Sequence, residues 1–447
     1  MSKDNLQSFV KPWLPVNKAN SLWVLKNAKI VDPVEGRILE PATVYITAGV
    51  IRGIVIGDEQ LEPEPASTAR VIDLAGKYVC PGLIDSHVHI NAVPGDLDLR
   101  HTMATPAEQI HFRMVYVCRD MLYRGFTTVR DCGGAPLALK EACAEWVIAG
   151  PRIHIAGHAL SQTGGHGDFR NAHDHPDCAG SFVSGLGRVA DGVPECLRVG
   201  RDEIRCGADF LKIMGGGGVA SPTDKLEHQQ YTPEEIQAFV SVARNAGTYV
   251  TCHAYTPASI ERAVSNGVMG IEHGNLIDRP TARLMAAKGA FLTPTLIALR
   301  AMADESLFSF LPPENSVKNL KVLQSGLNAL KLAQEEGVTL CYGSDLLGPL
   351  GKYQALEFQI RSEVLSAVEI LQSATINPAR MMGLTDVGQI KAGFQADLLI
   401  VRSNPLEDIT VLSRPETEVV AVFKDGILCR DDTQDLGGGL LDSWAKL

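Results

Sequence analysis

Two histidines one residue apart, His87-Val88-His89, close an apolar run that begins at Gly82. Side chains of an extended strand alternate faces, so both imidazoles point one way and Val88 the other. Two neutral imidazoles on one face can grip a single divalent cation. Farther along, Lys212, His253, His273 and Asp345 each stand within or at the end of a comparable apolar run. The set holds four histidines, one lysine and one aspartate, and its imidazole and carboxylate donors suit Zn²⁺ or a related divalent ion.

Each of these residues also has an ordinary reading. A single histidine at a strand end is usually packed and hydrogen-bonded, and Asp345 in Tyr-Gly-Ser-Asp fits a turn. The H-x-H pattern recurs at His173-Asp174-His175 in a polar stretch, where solvent exposure is expected. Lys212 alone would pass for a surface charge, but Phe210, Leu211 and Ile213 around it indicate a buried strand, where a bare ammonium is costly. The chemical reading rests on all six falling at equivalent ends of successive runs.

Those runs define the elements that must position them. Eight are rich in Val, Ile and Thr: 82–90, 126–131, 152–157, 209–214, 249–255, 270–275, 291–296 and 339–345. Stretches with helical spacing lie between them, such as 232–247, which opens Thr-Pro-Glu-Glu, and 257–267; both close on Gly. Eight β/α alternations predict an α/β protein built on a (β/α)₈ TIM barrel, with catalytic groups at the C-terminal ends of the strands. A doubly wound open sheet satisfies the same periodicity. Near-period-two segments at 22–78 and again after 391 predict a small β-sandwich domain built from both chain ends. The expected division is 1–78, 79–390 for the barrel, and 391–447.

The 447 residues suffice for a barrel with an accessory domain, and 45% hydrophobic with 21% charged residues is a soluble globular balance. A net charge of −11 argues against nucleic acid or an anionic membrane as partner. The N-terminal twenty residues carry charges and prolines where a signal peptide has an apolar core, and no apolar run reaches the roughly 18 residues that cross a bilayer. Ten scattered cysteines without a C-x-x-C pair read as reduced, mostly buried thiols. A cytoplasmic location is expected.

The string Pro-Gly-Leu-Ile-Asp-Ser-His-Val-His at 81–89 resembles the first-strand signature of the amidohydrolase superfamily, and Gly-Phe-Gln-Ala-Asp-Leu-Leu-Ile at 393–400 resembles its C-terminal strand. The order HxH, Lys, His, His, Asp matches the binuclear members. The resemblance implies two divalent metal ions, Zn²⁺ foremost. His87, His89 and Asp345 would hold the more buried ion and His253 and His273 the more exposed one. Lys212 would bridge them as an N6-carboxylated lysine, since a carbamate ligates where an ammonium cannot. A bridging hydroxide would attack the scissile carbonyl, with Asp345 moving the proton to the leaving amine.

Strings at 159–168, 212–219, 230–235 and 252–255 resemble prolidase-like and ochratoxinase-like amidohydrolases. These imply release of an amino acid from a dipeptide, an N-acyl amino acid or an ochratoxin-like amide. By that resemblance His166 and Tyr231 are the candidates for holding the substrate's α-carboxylate; a loop hydrogen bond and helix-cap packing are their ordinary roles. Gly215–Gly218 lack the Gly-Lys-Ser/Thr of a phosphate loop and are expected to let backbone approach the substrate. Arg170 and Arg300 are not separable from surface arginines. The alternatives are a cyclic-amide hydrolase of dihydroorotase or imidazolonepropionase type and a non-catalytic assembly protein. A sugar-phosphate barrel enzyme lacks the phosphate-binding turn. A homo-oligomer is expected by analogy.

Overall fold

The computed structural model describes residues 22–57, 69–95, 105–170, 173, 185–221, 223–304 and 310–432. The two ends of this span share one eight-stranded mixed sheet. Its N-terminal strands are β1 (Leu22–Asp32), β2 (Arg37–Thr47), β3 (Val50–Ile56), β4 (Arg70–Asp73) and β5 (Tyr78–Pro81). Its other three strands, named β16 to β18 below, come from the C-terminal part of the chain.

Between the ends every one of the eight expected runs carries a strand. They are β6 (Leu83–Val88), β7 (Phe126–Asp131), β8 (Arg152–Ile155), β11 (Leu211–Met214), β12 (Val250–Ala254), β13 (Gly270–His273), β14 (Phe291–Thr293) and β15 (Thr339–Leu340). Two short strands absent from that expectation, β9 (Ala159–Ser161) and β10 (Gly187–Val189), follow β8. The C-terminal strands are β16 (Leu398–Val401), β17 (Val419–Lys424) and β18 (Ile427–Asp431). The end sheet runs β18-β17-β16-β5-β1-β2-β3, so β16 from one chain end pairs with β5 from the other, and β4 pairs β1. Trp23, Leu25, Val44, Val79, Leu398 and Phe423 are buried together in its core. The strand β5 crosses the expected boundary at 78, because residues 78–81 still hydrogen-bond to β16.

The central strands are parallel and form two sheets, β6-β7-β8 and β10-β9-β11-β12-β13-β14-β15. Backbone bonds join their margins: Ser86 N–H donates to Tyr342 O and Asp345 N–H to His87 O, both 2.8 Å, and Asp209 N–H donates to Ile155 O at 2.7 Å. Helices return the chain between strands. They include α1 (Ala107–Tyr123), α2 (Leu137–Ala144), α3 (Val193–Arg205), α4 (Pro233–Asn245), α5 (Pro257–Ser265) and α6 (Arg279–Lys288), then α7 (Leu296–Met302) and α8 (Pro313–Glu335). The start of α4 is a full capping box, Thr232 accepting from Glu235 N–H while the Glu235 carboxylate accepts from Thr232 N–H, with Pro233 at the first turn.

Strand alternation decides which residues reach the site. Leu211, Ile213, Val250, Cys252, Ala254 and Ile271 join Val199, Ile236, Phe239 and Ile260 of the helices in the main apolar core. The intervening Lys212, Thr251, His253 and Glu272 are buried yet outside that core, so they occupy the opposite face. Register places Lys212 beside Thr251 and His253 between Met214 and Glu272. Burying so many polar groups is tolerable only because they satisfy one another or a ligand.

Nine described cysteines are free thiols and all but Cys206 are buried; Cys178 lies outside the described residues. Among the described residues no helix is long and apolar enough to cross a membrane.

Candidate metal centre

His87 Nε2, His89 Nε2 and Asp345 Oδ1 form a triangle with all three sides 3.3 Å. Both histidines use their other nitrogen elsewhere. His87 Nδ1 donates to Glu272 Oε2 at 2.8 Å and His89 Nδ1 to the Gly133 carbonyl at 2.9 Å. In neutral imidazoles that leaves two bare Nε2 lone pairs and a carboxylate oxygen converging without a proton among them. Such an arrangement repels itself unless a cation sits within it. Tetrahedral coordination at about 2.0–2.1 Å puts ligand atoms roughly 3.3 Å apart, so the spacing fits a zinc-sized ion.

The remaining candidates gather round this triangle. The His273 ring lies 5.1 Å from His87 and 4.5 Å from His253, centroid to centroid, and its Nδ1 is 2.7 Å from Thr295 Oγ1. His253 Nε2 donates to the Gly217 carbonyl at 3.3 Å, leaving Nδ1 free to ligate. Lys212 is 1% exposed, and among the described residues no ion pair is found with it. It stands in register with Thr251 on the strand next to that of His253, on the buried polar face that also carries Glu272. The structure thus brings together all six residues that the sequence singled out. Three residues here, His273, Thr295 and Asp345, have positive φ (74°, 47° and 51°) without being glycine, strain of the kind that collects at functional sites.

His166 is also present. Its ring stacks on His253 at 4.1 Å and its Nδ1 lies 2.8 Å from Ser221 Oγ. Ser221 donates to Asp224, whose carboxylate also accepts from Gly218 N–H and Gln230. Tyr231 has φ of +58°, and its ring meets Phe239 of α4 edge-on at 5.2 Å. Among the described residues its hydroxyl is buried without a hydrogen-bond partner, and burial drives its pKa up. Tyr255 also lies at the cluster: its ring stacks on His273 and meets His253 edge-on, each at 5.0 Å. Sequence could have found Tyr255, because it stands two residues past His253 and so shares its face.

Sequence reasoning missed Glu272. Alternation from Ile271 in the core puts it on the site face, and the positive φ at His273 brings that neighbour to the same cluster, so two adjacent residues serve it. Gly218 serves packing rather than substrate approach, since a Cβ there would fall 2.0–2.4 Å from the His166 ring. Arg170 pairs with Asp168 and Arg300 with Glu363. His173 is exposed as expected; Asp174 and His175 lie outside the described residues.

The amidohydrolase family model matches residues 78–429. The chain belongs to the amidohydrolase family. It is 31% identical to ochratoxinase of Aspergillus niger over 427 residues, covering 90% of this chain and 85% of that one. A crystal structure of an amidohydrolase superposes with a TM-score of 0.87 at 42% identity, covering 92% of this chain and all of the other. A prolidase complexed with N-methylphosphonate-L-proline superposes at 0.86 and 40%, with the same coverage. As an amidohydrolase with these relatives, the chain is a metal-dependent hydrolase of amide bonds, and its candidate ligands are those of the triangle.

Proposed function

We propose that this amidohydrolase releases a free amino acid from a dipeptide, an N-acyl amino acid or an ochratoxin-like amide, at a centre of two divalent ions, Zn²⁺ foremost. The observation that carries the reading is the 3.3 Å triangle of His87, His89 and Asp345 with Lys212 buried beside it. His87, His89 and Asp345 would hold one ion and His253 and His273 the other. Lys212, carboxylated by CO₂, would bridge them. When bound, such ions lower the pKa of water and polarise a carbonyl.

The protein's own groups do the rest. Asp345 takes a proton from the attacking water and delivers it to the leaving amine, a role open to a carboxylate whose Oδ1 lies 3.3 Å from His87 and His89. His166, backed by Ser221 and Asp224, presents its outer edge to the substrate's α-carboxylate. Tyr231 is the second group proposed to hold that carboxylate, and Tyr255, stacked on His273, adds a phenol beside the cluster. The two parallel sheets act as one closed (β/α)₈ barrel, a reading supported by the bonds from β6 to the segment after β15 and from β8 to the residue before β11. The end sheet with its shared core is the sandwich-like accessory domain of the division 1–78, 79–390 and 391–447. We place the protein in the cytoplasm as a homo-oligomer, its partner a small amide or dipeptide.

A screen of N-acyl amino acids, Xaa-Pro and Xaa-basic dipeptides, ochratoxin A and cyclic amides, with protein of measured metal content, tests this. Turnover is expected for amides bearing a free α-carboxylate and lost when that carboxylate is esterified. Preference for cyclic amides would overturn the reading.

A further inference from the structure

Glu272 is fully buried, and every described contact of its carboxylate is with a donor. Oε2 takes the His87 Nδ1 proton at 2.8 Å. Oε1 accepts from Arg130 Nη2 at 2.5 Å and from the Thr251 hydroxyl. Arg130 is itself fully buried, and its Nε donates at 2.6 Å to the carbonyl of Ser86, the residue before His87. Phe210 packs under its guanidinium at 5.0 Å and Tyr249 Oη lies 3.4 Å from Nη1. Residues of four strands, β6, β7, β12 and β13, are thus tied through one carboxylate to one edge of His87.

An imidazole shared between two partners needs its proton assigned. A carboxylate at Nδ1 fixes the proton there, turns the lone pair of Nε2 toward the triangle and makes that nitrogen more basic. The backbone supports this placement: the positive φ at His273 lets the neighbouring residues 272 and 273 both serve the cluster. Cys132 Sγ also approaches this carboxylate and His87 Nδ1. That group is no second cation site, because Arg130 and the His87 proton already occupy the carboxylate.

We propose that Glu272, anchored by Arg130, is a positioning residue that sets the tautomer of His87 and thereby the affinity of the His87–His89–Asp345 site for its cation. The inference rests on the two-cation reading above. A different account is available in which Glu272 merely neutralises Arg130, and the experiment separates the two.

Zn²⁺ and Co²⁺ affinities would be measured by competition with a chromogenic chelator for wild type, Glu272→Gln and the double variant Arg130→Met/Glu272→Leu. The visible spectrum of each Co²⁺ form would be recorded as well. In the single variant the Gln amide cannot satisfy His87 and Arg130 together, and affinity for one ion is expected to fall on the order of 10–100-fold, with an altered Co²⁺ spectrum. The double variant removes both charges at similar volume, so it should melt near the wild-type temperature yet keep the affinity loss. Wild-type affinity in the double variant would mean that Glu272 only balances charge, and the proposal fails. Histidine ¹⁵N shifts of metal-loaded wild type need no variant. They should show His87 protonated at Nδ1, and protonation at Nε2 would also end the proposal. Wild-type protein that binds no divalent ion would sink the underlying reading instead.

Discussion

The imidazoles of His166 and His253 lie face to face, with ring centroids 4.1 Å apart and planes 22° from parallel. His166 comes from the segment after β9 and His253 from β12, so the stack fixes a loop residue against a strand residue. Behind His166 the loop after β11, whose Ser221 contacts its Nδ1, is pinned from α8: Lys318 Nζ donates to the carbonyls of Gly218, Ser221 and Asp224, and Asn315 to those of Val219 and Ser221. A rigid mount of this kind suits a group that must meet an anionic substrate in one orientation.

Gly218 makes that mount possible. Gly218→Ala would drive a methyl into the His166 ring, so the ring must leave. The KM for substrates with a free α-carboxylate should rise about 10–100-fold, the value of a charge-assisted hydrogen bond, while amidated analogues are unaffected. His166→Ala should reproduce the effect. Steady-state kinetics on paired free and amidated substrates decide it, and equal losses on both would show a general distortion.

Asp345→Asn keeps a ligand oxygen but removes the base. The variant should retain most of its metal and lose about 10²–10⁴ in kcat. Metal content by elemental analysis beside kcat provides the check, and near-wild-type turnover would refute the assigned role.

Removing the cations with a chelator should leave the converging lone pairs of His87, His89 and Asp345 unsatisfied. Each site is expected to return about 2.7 kcal/mol of stability at free metal a hundredfold above its Kd, read as a rise in Tm when Zn²⁺ is added back. Because an ammonium cannot ligate, recovery of activity by the stripped protein should be slow in CO₂-free buffer and hastened by bicarbonate. Recovery independent of bicarbonate would argue against a carbamate at Lys212.

Asp224 links this site to acid stability. Desolvation raises its pKa, but the His166 contact, Ser221 and Lys318 overcome it and hold the carboxyl down at about 2. A folded pKa below the unfolded value of about 3.9 contributes stability that is present above pH 4 and is lost as pH falls toward 2. The contribution is about 2.6 kcal/mol. Urea unfolding of wild type and Asp224→Asn should therefore show a gap at pH 6 that narrows below pH 4. A gap that widened on acidification would reverse the sign and exclude the pairing.

The sequence by itself determined the eight parallel strands, the β-rich ends and the six polar residues at strand ends. Each rests on local periodicity: alternation put His87 with His89, and Thr-Pro-Glu-Glu marked the start of α4. What only the tertiary structure decided is where that periodicity breaks or where contacts span long separations. Tyr231 takes φ of +58°, and His273 joins its neighbour Glu272 at the cluster with φ of +74°. Neither is visible in a pattern that assumes regular strands. The support for each imidazole, whether Glu272, the Gly133 carbonyl, Thr295 or Ser221, comes from another part of the chain. Side-chain type and spacing fix which atoms can bind; folding fixes which lone pairs face each other, because that depends on hydrogen bonds between residues far apart in sequence.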